Sequence, residues 1–195
     1  MKCWICGDEA SSGEHTIKAS DLRALFGKRS QQNPLFLHSL KDLNQRVPSN
    51  NSKVLKSKAL LCLRCNNERT QPYDRAWEKL SNYLRKRKPP IQPKMVLRLS
   101  SVFPGKVHQS MLFVHLFFLK LFGCLIVENS IPIDIQEFSS AILGVRAHNK
   151  VYLAFEAIVD HRYHQRAGRT SVQTAQLDGH VTYAIWLSLG SCHLC

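Results

Sequence analysis

Apolar positions are few and grouped in short runs through the first half of the chain, then dense from residue 95 onward. Glu14-His15-Thr16-Ile17-Lys18 is β-prone and predicts a first strand. Leu22, Leu25 and Phe26 share one helical face, with Ser20 placed as an N-cap and Gly27 as the stop. Residues 28–57 are polar and broken by turn signals, apart from Leu35-Phe36-Leu37, and read as a long excursion. Lys58 to Leu61 predicts a second strand that delivers Cys62, and a helix is expected from near Cys65. After Pro72, the residues Tyr73, Trp77, Leu80 and Leu84 recur at helical spacing and predict a buried face.

Arg85-Lys86-Arg87-Lys88 followed by Pro89, Pro90 and Pro93 ends that helix. Met111 to Val127 is strongly apolar but interrupted by His115, Lys120 and Gly123, which fits a buried helix better than a membrane span. Ile135, Phe138 and Ile142 mark a further helix over 133–143, and Val151–Val159 and Val181–Leu189 read as strands. The expected fold is α+β in two parts: a small module at 1–85, a basic proline-rich linker at 86–95, and an α+β domain of no legible purpose at 96–195. The stop at Cys195 right after a strand pattern would fit a truncated domain.

Charge sharpens this division. The net charge is +13, and residues 1–95 carry 19 Lys/Arg against 8 Asp/Glu, whereas residues 96–195 carry 8 against 6. A basic first half favours a polyanionic partner, because each neutralised phosphate releases counterions. Solubility alone is the competing explanation of the same lysines.

Four of the seven cysteines form two CxxC pairs, Cys3/Cys6 and Cys62/Cys65, a spacing suited to one structural zinc ion. Met1-Lys2-Cys3-Trp4 carries no apolar leader, so a reducing cytoplasm and metal are expected in place of disulfides. His161/His164 and Cys192/Cys195 could form a second zinc set, although surface histidines and a frayed terminus explain the same letters.

The order of these pieces resembles a known family. A cysteine pair, then Glu-His-Thr-Ile-Lys, then Leu-Cys-x-x-Cys-Asn-x-x-Arg-Thr is similar to the HNH endonucleases, the ββα-metal or His-Me finger group. The likeness covers roughly the first 80 residues. It implies a zinc-stapled ββα module in which His15 is the general base and Asn66 a ligand of a catalytic Mg²⁺ or Mn²⁺, with Glu14 as a second ligand. Asn66 stands where the family commonly has histidine, and its amide oxygen remains a suitable hard ligand. The family's middle asparagine falls on Ser57 here, with Asn50 and Asn51 as nearby substitutes.

The resemblance implies hydrolysis of nucleic-acid phosphodiesters, DNA foremost, leaving a 5′-phosphate and a 3′-hydroxyl. Arg64 and Arg69 are candidates for backbone phosphate contacts, as are Arg85, Lys86, Arg87 and Lys88. Two alternatives stand beside this reading: a zinc-stapled nucleic-acid-binding module without catalysis, and a structural zinc domain that tethers the second half to a protein. Glu14-His15 separates them, since binding alone has no use for a histidine after an acid at that spot.

Overall fold

The computed structural model describes residues 1–39, 42–88, 91–92, 94–155, 167–178, 180–185 and 188–189. Its first half runs β1 (Ser12–His15), α1 (Ala19–Phe26), β2 (Leu35–Leu37), β3 (Gln45–Val47), β4 (Lys56–Leu61), a π-helical turn (Arg64–Arg69) and α2 (Gln71–Lys86). The second half adds α3 (Val107–Glu128), α4 (Ile135–Leu143) and four short strands, β5 (Gly168–Arg169), β6 (Gln173–Leu177), β7 (His180–Ile185) and β8 (Ser188–Leu189). The fold is α+β.

Strand β1 lies antiparallel to β4, with Ser12 opposite Leu61, Gly13 opposite Leu60 and His15 opposite Lys56. The register shifts between Gly13 and His15. Gly13 permits this, because a Cβ there would sit 3.0 Å from the Ser57 carbonyl oxygen. Side chains alternate along β4: Ser57, Ala59 and Leu61 are buried, while Lys56, Lys58 and Leu60 face the other side. The strand expected at 14–18 therefore begins and ends earlier. Beyond His15 the chain turns away, and both the amide and the hydroxyl of Thr16 bond to the Leu55 carbonyl, at 2.9 and 3.0 Å.

Helix α1 starts after Lys18, so Ser20 lies inside its first turn and does not cap it. Gly27, at φ 73°, closes the helix through its amide to the Arg23 carbonyl. The 28–57 excursion is partly ordered: β2 and β3 form a hairpin whose Leu35, Leu37 and Val47 pack on Leu22 and Leu55. Helix α2 buries Tyr73, Leu80 and Leu84 and half-buries Trp77, the face its spacing predicts.

Residues 86–95 separate elements but not cores. Cys3, Ile5, Leu61 and Tyr73 from the first half share one buried cluster with Leu116, Phe117, Phe138 and Ile142 from α3 and α4. The sheet and the cysteine knuckles supply few apolar side chains, so their inner face needs an external cover. Helix α3 provides it. By length and composition α3 could cross a membrane, yet 56% of its most apolar window is buried inside the protein.

Strands β6 and β7 pair antiparallel, as do β5 and β8, so the strand expectation at 181–189 is met over 181–185 and 188–189. Residues 151–155 carry no strand. Pro89, Pro90, Pro93, residues 156–159, His161, His164, Cys192 and Cys195 lie outside the described residues.

Gly123 marks the tightest approach of α3 to the first cysteine knuckle: a Cβ would stand 2.6 Å from Trp4 Cζ2 and 3.1 Å from Cζ3. An indole cannot swing aside cheaply in a packed core. Gly123→Ala should therefore lower stability by about 1–3 kcal/mol despite the better helix propensity of alanine. Urea unfolding followed by tryptophan fluorescence checks this, and an unchanged midpoint would show that Trp4 moves freely.

Candidate metal centre and adjoining polar site

Each cysteine pair is set by a turn that aims its sulfurs at the other pair. Gly7, at φ 81°, closes the first knuckle by bonding its amide to the Cys3 carbonyl at 2.8 Å. In the second, the Cys65 amide donates to Cys62 Sγ at 3.3 Å, and the Asn66 amide donates to the Cys62 carbonyl at 2.9 Å. Cys6 Sγ and Cys62 Sγ are 3.5 Å apart, and all four sulfurs lie within 4.8 Å of one another. Arg69 Nη1 donates to Cys65 Sγ at 2.9 Å.

Four sulfurs with no oxygen or nitrogen among them make a donor set suited to a thiophilic cation such as zinc. Burial pushes the Cys65 thiol far up, and the Cys6 and Cys62 sulfurs beside it push the same way. Four thiolates can coexist here only around a cation, which would reverse that shift.

His15 ends β1 on the face that carries Lys56. Its ring hydrogen-bonds the backbone of Asn50, and Nε2 is buried without a hydrogen-bond partner among the described residues. The Asn50 side chain accepts from the Arg29 amide at 3.0 Å, which fixes the loop that orients the ring. Burial lowers the His15 pKa from 6.5, the Lys56 charge lowers it further, and Glu14 opposes both. The imidazole is therefore neutral at pH 7.

The remaining sequence candidates divide between two places: Glu14 and Ser57 lie with His15, and Asn66 lies apart. Asn66 donates from Nδ2 to Ser12 Oγ at 3.1 Å, and it borders an open groove of about 300 Å³ with Lys18, Asn67, Gln71, Asp74, Arg75 and Glu78. His15 lines a different cavity, of about 10 Å³, with Glu14, Thr16, Ser57 and residues of α3, and the two share no residue. Glu14 is buried, its Oε2 2.8 Å from Lys120 Nζ. Ser57 is also buried, and it donates to Glu128 Oε2 at 2.7 Å and accepts from the Ala59 amide. Both candidates bracket the sheet to α3, because their side chains fall on its inner face. Asn51 is exposed.

Of the basic candidates, Arg69 is engaged by Cys65, and Arg85 lies 2.8 Å from Asp21 Oδ1. Arg87 donates to the Tyr83 hydroxyl, while Arg64, Lys86 and Lys88 are exposed. Lys28, Lys53 and Lys58 are exposed and Lys56 half-buried, and none of the four has an ion-pair partner among the described residues.

Asn50, one of the substitutes for the middle asparagine, acts on His15 through its backbone, which no side-chain pattern reveals. Two positions escaped the motif reading. Thr70 and Asp74 meet Lys120 of α3, whose lysine in an apolar run was the available signal. No family model, curated protein or solved structure matches the chain.

The His15 environment gives a pH test with a definite sign. The folded-state pKa is depressed, so protons favour the unfolded chain: this group's contribution to stability is full above about pH 6.5 and is lost as pH falls below it. NMR titration of the His15 imidazole should give a midpoint below 6.5. Lys56→Gln should move it upward without passing 6.5, because burial is the larger cause. A midpoint unmoved by Lys56→Gln would remove the lysine from the site.

Proposed function

We propose that this chain is an HNH-type endonuclease: a zinc-stapled module that hydrolyses nucleic-acid phosphodiesters, with DNA as the leading substrate and His15 as general base. The observation that carries the reading is His15 itself, a neutral imidazole at the end of the strand paired with β4, oriented by the Asn50 backbone and with Nε2 unengaged. A neutral imidazole with a pKa near or below neutrality can take a proton from water.

In this reading Nε2 accepts the proton as the water oxygen bonds to phosphorus, and the bond from phosphorus to the sugar oxygen breaks, that oxygen taking a proton from solvent to leave as a hydroxyl. Lys56, directly across the strand pair, supplies positive charge for the phosphoryl oxygens. Cys3, Cys6, Cys62 and Cys65 would hold zinc as a structural ion, fixing β1 against the turn before α2. The five cysteines among the described residues, none in a disulfide, suit a reducing compartment such as the cytoplasm. Lys56 and Lys58, on the same side of β4, supply positive charge along which a phosphate backbone would lie.

A Mg²⁺ or Mn²⁺ ion shared by Glu14 and Asn66 does not fit this arrangement. The Glu14 carboxylate is already paired with a buried ammonium, and Asn66 borders a groove that Glu14 does not line. No step is assigned to such an ion.

The same observation favours one second reading, nucleic-acid binding without cleavage, in which the lysines serve as a cationic face and the neutral His15 only as a hydrogen-bonding group. Plasmid nicking by purified protein separates the two. His15→Ala should reduce cleavage by about 10²- to 10⁴-fold while zinc content and DNA affinity persist. Cleavage by H15A at the wild-type rate would remove His15 as the base, and DNA binding without nicking by the wild type would establish the second reading.

A further inference from the structure

Lys120 is fully buried near the middle of α3, a helix otherwise almost wholly apolar in its interior. Its ammonium lies 2.8 Å from Glu14 Oε2, 3.1 Å from Thr70 Oγ1, and 3.4 and 3.5 Å from the two oxygens of Asp74. This oxygen cage is one hydrogen bond away from the second cysteine knuckle on one side and one peptide bond away from His15 on the other. The Thr70 hydroxyl lies 3.0 Å from the Cys65 carbonyl and 3.2 Å from the Asn66 carbonyl, and Glu14 precedes His15 in β1.

Asp74 also meets Lys18 at 3.0 Å, and Lys18 in turn meets the more exposed Glu78 at 3.6 Å, so within the well-buried part of the set two carboxylates face two ammonium groups. A dication added to this buried set would leave uncompensated positive charge, and displacing Lys120 would bury an ammonium without partners, which is costly. Burial by itself pulls the Lys120 pKa down, but Glu14 and then Asp74 outweigh it, and the group stays charged.

We infer that Lys120 is the resident cation of this site: its ammonium takes the place a divalent metal would need at Glu14 and makes α3 a wall of the His15-bearing site. The inference rests on the oxygen cage and stands apart from whether a phosphodiester is cut. A two-carboxylate, one-hydroxyl cage is the kind of donor set that binds a hard divalent ion once its ammonium is removed.

Mn²⁺ is the probe, added to zinc-loaded full-length protein and followed by electron paramagnetic resonance. Wild type and Glu14→Gln should give superimposable titrations, with no Glu14-dependent site tighter than about 1 mM. Lys120→Ala should gain a saturable Mn²⁺ site that Lys120→Ala/Glu14→Gln lacks. Wild-type binding that E14Q weakens tenfold or more would overturn the inference, as would a folded K120A that gains no site. If K120A does not fold, the His15 imidazole signal of the wild type decides. It should stay sharp in Mn²⁺, and broadening that E14Q abolishes would again overturn the inference.

Discussion

Two cysteine pairs, whose nearest members Cys6 and Cys62 are 56 residues apart in sequence, converge within 4.8 Å, and the rest of the fold follows from that convergence. The pairs can meet only if β1 lies antiparallel to β4, so that one knuckle precedes the first strand and the other follows the second. That pairing puts His15 opposite Lys56 and sets Ser12 beneath Asn66. The same turn that aims Cys62 and Cys65 widens into the π-helical segment, presents Thr70 and starts α2. A small polar module of this kind has too little core to hold itself, and a cation among four thiolates would supply what hydrophobic burial does not.

Hydrophobic cover and buried charge then decide where α3 lies. Its apolar side chains close the inner face of the sheet, but apolar contact alone would tolerate sliding by a turn. The Lys120 pair with Glu14 and Asp74 would not, because a shift of about 5.4 Å would leave an ammonium and two carboxylates buried apart. A second polar bracket fixes α1 against α2: Asp21 accepts from Trp77 Nε1 at 2.7 Å and from Ser81 Oγ at 3.1 Å, and pairs with Arg85. Such groups add little net stability compared with apolar replacements, yet removing one partner costs about 3–5 kcal/mol. Their effect here is to specify one arrangement.

The helices and the cysteine cluster were legible in the sequence because 3.6-residue periodicity and CxxC spacing are local signals. Tyr73, Leu80 and Leu84 face inward as their spacing requires, and Met111 to Val127 lies within α3. The first strand was misplaced because its register depends on a close approach at Gly13, which is visible only once β4 is beside it. The β2–β3 hairpin has strands of three residues, too short for alternation to register. The shift in composition near residue 95 marks a change in element type, and buried residues from both sides of it share one cluster. Glu14 and Ser57 were read from their place in a motif, whereas strand alternation turns both toward α3. Lys120 was seen only as an interruption of an apolar run, since its partners are 46 to 106 positions away.

The central claim is that all four cysteines serve one metal ion and thereby place His15. X-ray absorption at the zinc edge of the purified protein tests it most directly. The account predicts a first shell of four sulfurs at about 2.3 Å with no nitrogen or oxygen. A shell of two sulfurs completed by lighter atoms would contradict it, because the two pairs would then not share an ion.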